Sequence, residues 1–316
     1  MRKNIFLLII LGVVVMIMSM MSKEFLRFST LLESLRYAVE MGIMAVPMTM
    51  IIITTGIDLS VASTLALSGI LMGIIWKYLN LNIWLAGLFA ILIGSGCGLL
   101  NAYMITGLSI PPIVVTLATM AAYRGIATGL SKGRGITGFP ESFQNFGQGS
   151  FMNFIPYSVF IWVIVALVGY VVLEKSKFGR YIYSIGHNET GAMFSAVPVV
   201  RVKNILYLFS GMMAGLSGMI YSARIGAAKS NAFMGGELEV ITAVVLGGTS
   251  ITGGEGSILG STLGVLIITF LKTGLNLARV PHSVQSIIVG IVLVASIITY
   301  TRFGVGFFKK IKKGGV

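Results

Sequence analysis

Residues 83–106 read IWLAGLFAILIGSGCGLLNAYMIT, without one charged side chain. A helix rises 1.5 Å per residue, so about 20 apolar residues bridge the hydrocarbon core of a bilayer. Comparable segments recur at 5–21, 41–56, 60–76, 112–130, 155–173, 204–223, 238–250, 257–271 and 285–301. The chain of 316 residues is 56% hydrophobic and only 10% charged, whereas soluble domains carry about 25% charged residues. A water-soluble fold of this size could not hide so much apolar surface. These features predict an all-α polytopic membrane protein with about ten transmembrane or re-entrant helices.

Arg2 and Lys3 precede the first apolar segment, and no small-residue cleavage site follows it, only Ser22-Lys23-Glu24. It reads as a retained first membrane helix. An even number of crossings puts both termini on one side of the lipid bilayer. Basic residues cluster at Arg2 and Lys3, at Lys175, Lys177, Arg180, Arg201 and Lys203, and at Arg302, Lys309, Lys310, Lys312 and Lys313. Loops rich in Lys and Arg stay in the cytoplasm, so both termini are expected there. The net charge of +13 follows from this bias. No basic stripe with interleaved aromatics accompanies it, which excludes nucleic acid as a partner.

Two pairs of neighbouring apolar segments are separated by short polar or glycine-rich passages, Thr55-Gly56-Ile57-Asp58-Leu59-Ser60 and Gly247 to Ser257. Backbone that leaves a helix at membrane depth must be buried in protein or line a wet cavity, and such breaks often border a transport path. Residues 23–40 space Phe25, Phe28, Leu32, Leu35 and Val39 at helical intervals opposite Lys23, Glu24, Arg27, Glu33 and Arg36. That pattern fits an interfacial helix or an extension of the second crossing. Glycine pairs spaced by four occur at Gly69/Gly73, Gly94/Gly98, Gly125/Gly129, Gly211/Gly215 and Gly260/Gly264, a spacing that lets helix backbones approach closely.

Motifs for catalysis are missing from the sequence. It contains no G-x-x-x-x-G-K-[ST] and no H-E-x-x-H, and His187 and His282 stand far apart. No catalytic residue, metal site or cofactor is therefore assigned. Cys97, the only cysteine, lies inside an apolar run without ligand-type neighbours and reads as a packed thiol. Ionisable groups in the apolar segments reduce to Asp58 at a break, Arg124, and Glu237 and Glu239 at a segment start. Carriers driven by ion gradients place acids in the bundle interior as relays, and this chain offers few.

The polar stretch HNETGAMFSAVPVVRVK at 187–203 falls within 174–203, the longest predicted cytoplasmic loop. Asn188 can cap a short helix, with Glu189 near its positive end. Ala192, Met193, Ala196 and Val197 then offer a small apolar face, and Pro198 helps to end the helix. Such an element can dock in a partner's groove or lie as a solvated loop.

Three passages carry a family resemblance. Thr55-Gly56-Ile57-Asp58-Leu59-Ser60-Val61-Ala62-Ser63 is similar to the GGIDLSVGS segment of the permease subunits of ribose-type ATP-binding-cassette sugar importers. Phe178 to Glu189 resembles their FGR…YAxGGNEEAA loop, and Ala243 to Ser257 resembles AVVLGGTSLSGGRGS. Thr55, Ala62, His187 and Glu255 depart from the residues usual there. Ala45 to Met50 and Phe194 to Val199 are most similar to the autoinducer-2 permeases, and Ile110 to Leu117 with Tyr123-Arg124-Gly125 resembles the autoinducer-2 and rhamnose permeases. The resemblance implies a single transmembrane permease domain over 1–316 and translocation of a sugar or sugar-like solute by alternating access. It also implies a cassette ATPase as partner, a second permease copy or paralogue, and an extracytoplasmic solute-binding protein. Gly186, Asn188, Glu189, Ala192, Ala196, Val197 and Pro198 would then form the ATPase-coupling loop.

Asp58 and Ser60 can face the translocation path, or Asp58 can cap the following half-helix, the favoured reading because it satisfies orphaned amides. Arg124 can meet anionic lipid, an outer-loop acid or substrate hydroxyls. Asn101 and Asn276 are expected to hold helices together. The rival readings are a branched-chain amino-acid permease and a self-contained secondary carrier.

Overall fold

A computed structural model describes residues 2–152, 154–281 and 283–295. Its helices are α1 (Arg2–Met21), α2 (Phe28–Ile53), α3 (Val61–Tyr78), α4 (Ile83–Thr106), α5 (Pro112–Ser131), α6 (Glu141–Gln148), α7 (Tyr157–Lys175), α8 (Lys177–His187), α9 (Glu189–Phe194), α10 (Val199–Ile225), α11 (Gly236–Leu246) and α12 (Ile258–Leu277). A further apolar helix, α13, covers Ser283–Ala295. Each predicted apolar segment coincides with one helix, although the predicted end of the last, and the basic residues from Arg302 onward, lie outside the described residues. Among the described residues seven helices, α2, α3, α4, α5, α7, α10 and α12, are long and apolar enough to cross a membrane.

The all-α expectation needs one correction. Four two-residue strands form two antiparallel ladders, β1 (Ile136–Thr137) with β4 (Ala227–Ala228) and β2 (Ser150–Phe151) with β3 (Ile155–Pro156). They close loops at one end of the bundle, where backbone groups have left the helices and need partners.

The centre of the bundle is α2. The interfacial alternative for residues 23–40 is not realised: helix runs unbroken from Phe28 into the second crossing, and nearly every side chain from Ala38 to Ile53 is buried. Pro47 sits inside it without ending it. A proline there removes one backbone hydrogen bond, and the dense packing around it holds the helix together. Ile43, Met44, Met48 and Ile52 form the main core with Leu65 of α3, Met213 of α10, Val244 of α11 and Ile268 of α12.

Helices α4 and α10 lie against each other backbone to backbone. A β-carbon placed on Gly94 would strike Gly211 and Gly215, and one on Gly98 would strike the Tyr207 carbonyl. These two predicted glycine pairs are therefore a helix contact, as is Gly260/Gly264, whereas Gly69 meets α10 and Gly73 meets Ile136 of β1. Gly125 and Gly129 are not, since nothing lies near them.

Candidate functional site

Both predicted breaks are present. After Ile53 the chain leaves the helix, turns at Thr55 with φ of 62°, and reaches α3 through Gly56 to Ser60. Asp58 closes this passage from within. Its Oδ1 accepts the Ser60 amide at 3.0 Å and the Ser60 hydroxyl at 2.6 Å, and its Oδ2 accepts the Ser210 hydroxyl of α10 at 2.7 Å. Asn101 of α4 donates to Ser60 Oγ at 2.8 Å, and the Tyr123 hydroxyl reaches Asn101 Oδ1 at 3.2 Å. The expected helix cap is thus displaced: Ser60 holds the cap position, and Asp58 serves the amide of Ser60 itself rather than one inside α3. Asp58 and Ser60 are 2% and 1% exposed, so the pair ties α3, α4 and α10 together. Asn101 does the helix-joining work expected of it, and Asn276 likewise accepts from Gln285 of α13 at 2.7 Å.

The second break, Gly247 to Ser257, begins where Gly247 packs on the Gly260 backbone. Gly253 and Gly254 adopt φ of 84° and 75°, conformations that glycine reaches without steric cost. The Gly254 amide donates to the Ile53 carbonyl at 2.9 Å, so the two breaks meet at one end of the bundle.

The polar stretch that follows α7 docks on this junction. It is more helical than a loop. Ser176 caps α8, whose Gly179, Ile182, Ile185 and Gly186 are buried. A β-carbon on Gly186 would strike the Ile53 carbonyl and Gly254. The Tyr183 hydroxyl donates to the Gly256 carbonyl at 2.9 Å and lies 3.2 Å from Glu174 Oε1. Burial, reinforced by the Glu174 charge, raises this phenol above its ordinary pKa.

Asn188 caps α9 as expected, its Oδ1 accepting the Gly191 amide at 2.9 Å. Glu189, at the first helical position, pairs with Lys203 at 2.6 Å. The expected apolar face is not continuous. Ala192 turns inward and is buried, and the helix ends at Phe194. Ala196 takes φ of 58° in the reversal, where the Val197 amide returns to the Ala192 carbonyl at 3.0 Å. Pro198 does not end α9; it stands at the start of α10 and accepts the Val202 amide. Met193 faces outward as expected, 59% exposed, and Phe194 beside it, outside the expected face, is 89% exposed. A cleft of about 720 Å³ adjoins them, bordered by Leu99, Val197, Val200, Asn204 and Ile205.

Arg124 is held by backbone carbonyls, with the Glu237 carboxylate at the start of α11 close enough to act on its charge. Its Nη1 donates to the Ser230 and Ala232 carbonyls at 2.6 and 2.8 Å, pinning the segment after β4. One pair escaped the sequence reading. Arg224 of α10 donates from Nε to Glu40 of α2 at 2.8 Å, and its guanidinium lies over the Tyr37 and Tyr221 rings. Glu40 fell one residue outside the predicted crossing that starts at 41; a helix drawn from Phe28 would have enclosed it.

Interrupted apolar helices, and a short helix seated where the interruptions meet, are the features of a multi-pass membrane transport protein. The family described as "Branched-chain amino acid transport system / permease component" matches residues 30–297, and the chain belongs to that family. It is 39% identical over 295 residues to the ribose import permease protein RbsC of Bacillus subtilis, covering 91% of this chain and 89% of that one. The RbsC protein of Escherichia coli K12 is 37% identical, covering 92% and 91%. The autoinducer 2 import system permease protein LsrD of Salmonella paratyphi B is 33% identical over 285 residues, covering 88% and 85%. No solved structure matches. The ribose-type resemblance read from three motifs is thereby borne out.

Proposed function

We propose that the chain is the membrane-spanning subunit of an ATP-driven importer for a small sugar or sugar-like solute of the ribose, autoinducer-2 or rhamnose type. The relatives named for ribose and autoinducer-2 support this over an amino-acid cargo. In this reading α1, α2, α3, α4, α5, α7, α10, α11, α12 and α13 make about ten passes, with both termini and α8–α9 in the cytoplasm. The cassette ATPase docks there, a second permease copy or paralogue completes the pathway, and a solute-binding protein delivers cargo on the other side.

One observation carries the reading: α9 exposes Phe194 almost completely while the adjoining α8 touches both breaks through Gly186 and Tyr183. Phe194, Met193 and the cleft lined by Val197 and Val200 form a contiguous apolar patch, the kind that a partner covers. Force applied to α9 passes through Gly186 to Ile53 and Gly254 and so reaches the ends of α2 and the α11–α12 break. ATP-driven closure of the ATPases would move the two breaks together and exchange the open side of the bundle.

The test is copurification with the ATPase encoded beside it and ATP-driven uptake of D-ribose in proteoliposomes. Phe194→Asp should abolish ATPase association while leaving thermal unfolding unchanged, because that side chain touches little of the bundle. Uptake by the chain alone, driven by an ion gradient, would overturn the proposal.

A further inference from the structure

Two hydroxyls one turn apart on α10 lie beside the first break, and only one of them has a partner. Ser210 donates to Asp58 Oδ2 at 2.7 Å. Tyr207 is 2% exposed, and its hydroxyl has no hydrogen-bond partner among the described residues. A β-carbon on Gly56 would stand 2.8 Å from that hydroxyl, which therefore rests on the backbone of the break two residues before Asp58. It is also close enough for the Asp58 charge to act on it. An unpaired buried hydroxyl is unfavourable, and such an orphan in a native fold calls for a reason. We propose that Tyr207 and Ser210 are alternative catches for Asp58 and that the carboxylate passes from one to the other during transport; the inference rests on the importer reading above.

In this step α10 is the fixed part and the break is the moving one. Backbone contacts at Gly94, Gly98, Gly211 and Gly215 hold α10 to α4, and a β-carbon on Gly218 would strike the Leu65 carbonyl of α3. Helices that touch backbone to backbone have no soft side chains between them to absorb a slide. Residues 54–60, by contrast, belong to no helix or strand. The Ile53 carbonyl just before them accepts the Gly254 amide and abuts Gly186 of α8. A displacement of α8 therefore bears on the break first.

Within Asp58, Oδ2 is the atom that changes hands. Oδ1 accepts both the amide and the hydroxyl of Ser60, whereas Oδ2 has the single contact with Ser210. Tyr207 stands three residues nearer α9 than Ser210, about 4.5 Å along the helix axis. A shift of the break toward the α9 end would carry Oδ2 from Ser210 to Tyr207. The carboxylate stays hydrogen-bonded before and after, as a buried acid must. Whichever hydroxyl holds it, the other goes without, so the two arrangements stay close in energy, which a switch requires. Tyr207 is thus a positioning residue for the conformational step.

Two measurements test the exchange. In the full importer in proteoliposomes, Tyr207→Phe should slow ATP-driven D-ribose uptake about tenfold, the worth of one hydrogen bond to a charged group. Its thermal unfolding temperature should be unchanged or raised, because the lost hydroxyl bonds nothing in this arrangement. In the second measurement 3-fluorotyrosine replaces Tyr207 and its fluorine resonance is followed. Two resonances are expected in the resting importer, and they should exchange intensity when the ATPases are trapped with ADP and vanadate. Ser210→Ala removes the competing donor and should shift their ratio about tenfold toward the bonded form, in the importer and in the isolated permease alike. Undiminished uptake by Tyr207→Phe would overturn the proposal, as would a single resonance that neither trapping nor Ser210→Ala moves. A lower unfolding temperature for Tyr207→Phe would also overturn it, by making the hydroxyl a structural support. A chain that never copurifies with an ATPase would instead sink the importer reading, and the Ser210→Ala shift in the permease alone would still decide whether the two catches compete.

Discussion

Arg224 Nε stands 2.8 Å from Glu40 Oε1, joining α10 to α2 through a pair in which the carboxylate is fully buried. Removing one member of such a pair leaves a charge stranded in the bundle, at a cost of about 3–5 kcal/mol. Arg224→Met should therefore lower the thermal unfolding temperature of the purified protein sharply. Glu40→Met combined with Arg224→Met should recover most of that loss, since hydrophobic replacement of a whole buried pair is often neutral or better. A double variant no more stable than Arg224→Met alone would show that Glu40 has another partner.

The α4–α10 contact makes a sharper claim about glycine. Gly98→Leu would drive a side chain into the Tyr207 carbonyl and the Gly211 backbone, which cannot move aside as a flexible side chain can. Overpacking of this kind costs about 1–3 kcal/mol or more. A β-carbon on Gly125 meets nothing within 4 Å, and Gly125→Leu should leave unfolding unchanged. Equal effects at the two positions would contradict the helix contact described here.

Hydropathy located the helices well because length and apolar content are what a bilayer selects. It located their partners poorly. Residues 83–106 match α4 at both ends, yet nothing in that run told which of the five glycine pairs would meet another helix. The start of α2 stayed open between an interfacial helix and an extension of the crossing because its first turns carry Glu33, Arg36 and Glu40, whose charges depress hydropathy although Glu40 is buried against Arg224. The cap at Asn188 was legible because it depends on residues three positions apart. The apolar face of α9 was not, because the reversal at Ala196 ends the periodicity one turn early. The burial of Asp58 depends on Ser210, 152 residues away, a relation no local pattern contains.

Asp58 offers a direct choice between structural and pathway roles. Asp58→Ala leaves the Ser60 amide and the Ser60 and Ser210 hydroxyls without their acceptor, and each buried orphan costs about 1–3 kcal/mol. Marked loss of stability is expected. Asp58→Asn keeps one carbonyl acceptor and should be milder. In the transporter, Asp58→Asn should leave the KM for D-ribose unchanged. An altered KM at unchanged stability would instead make Asp58 a solute contact.

Tyr183 gives the junction of the two breaks a pH signature. Its hydroxyl donates to the Gly256 carbonyl, and burial holds its pKa above the ordinary value of 10. A group bound more tightly to its proton in the folded state contributes stability that is fully present below the unfolded pKa and is lost as pH rises through the folded one. Tyr183→Phe should accordingly destabilise by about 0.5–1.5 kcal/mol, by the same amount from about pH 6 to about pH 9, with the gap to the parent closing only in more alkaline solution. Because this hydroxyl ties α8 to the second break, the variant should also hydrolyse more ATP per sugar imported. Thermal unfolding across the pH range and paired hydrolysis and uptake assays measure both effects. A stability gap that closes near neutral pH would assign the link to a different titrating group, and unchanged coupling would mean that force reaches the breaks through Gly186 alone.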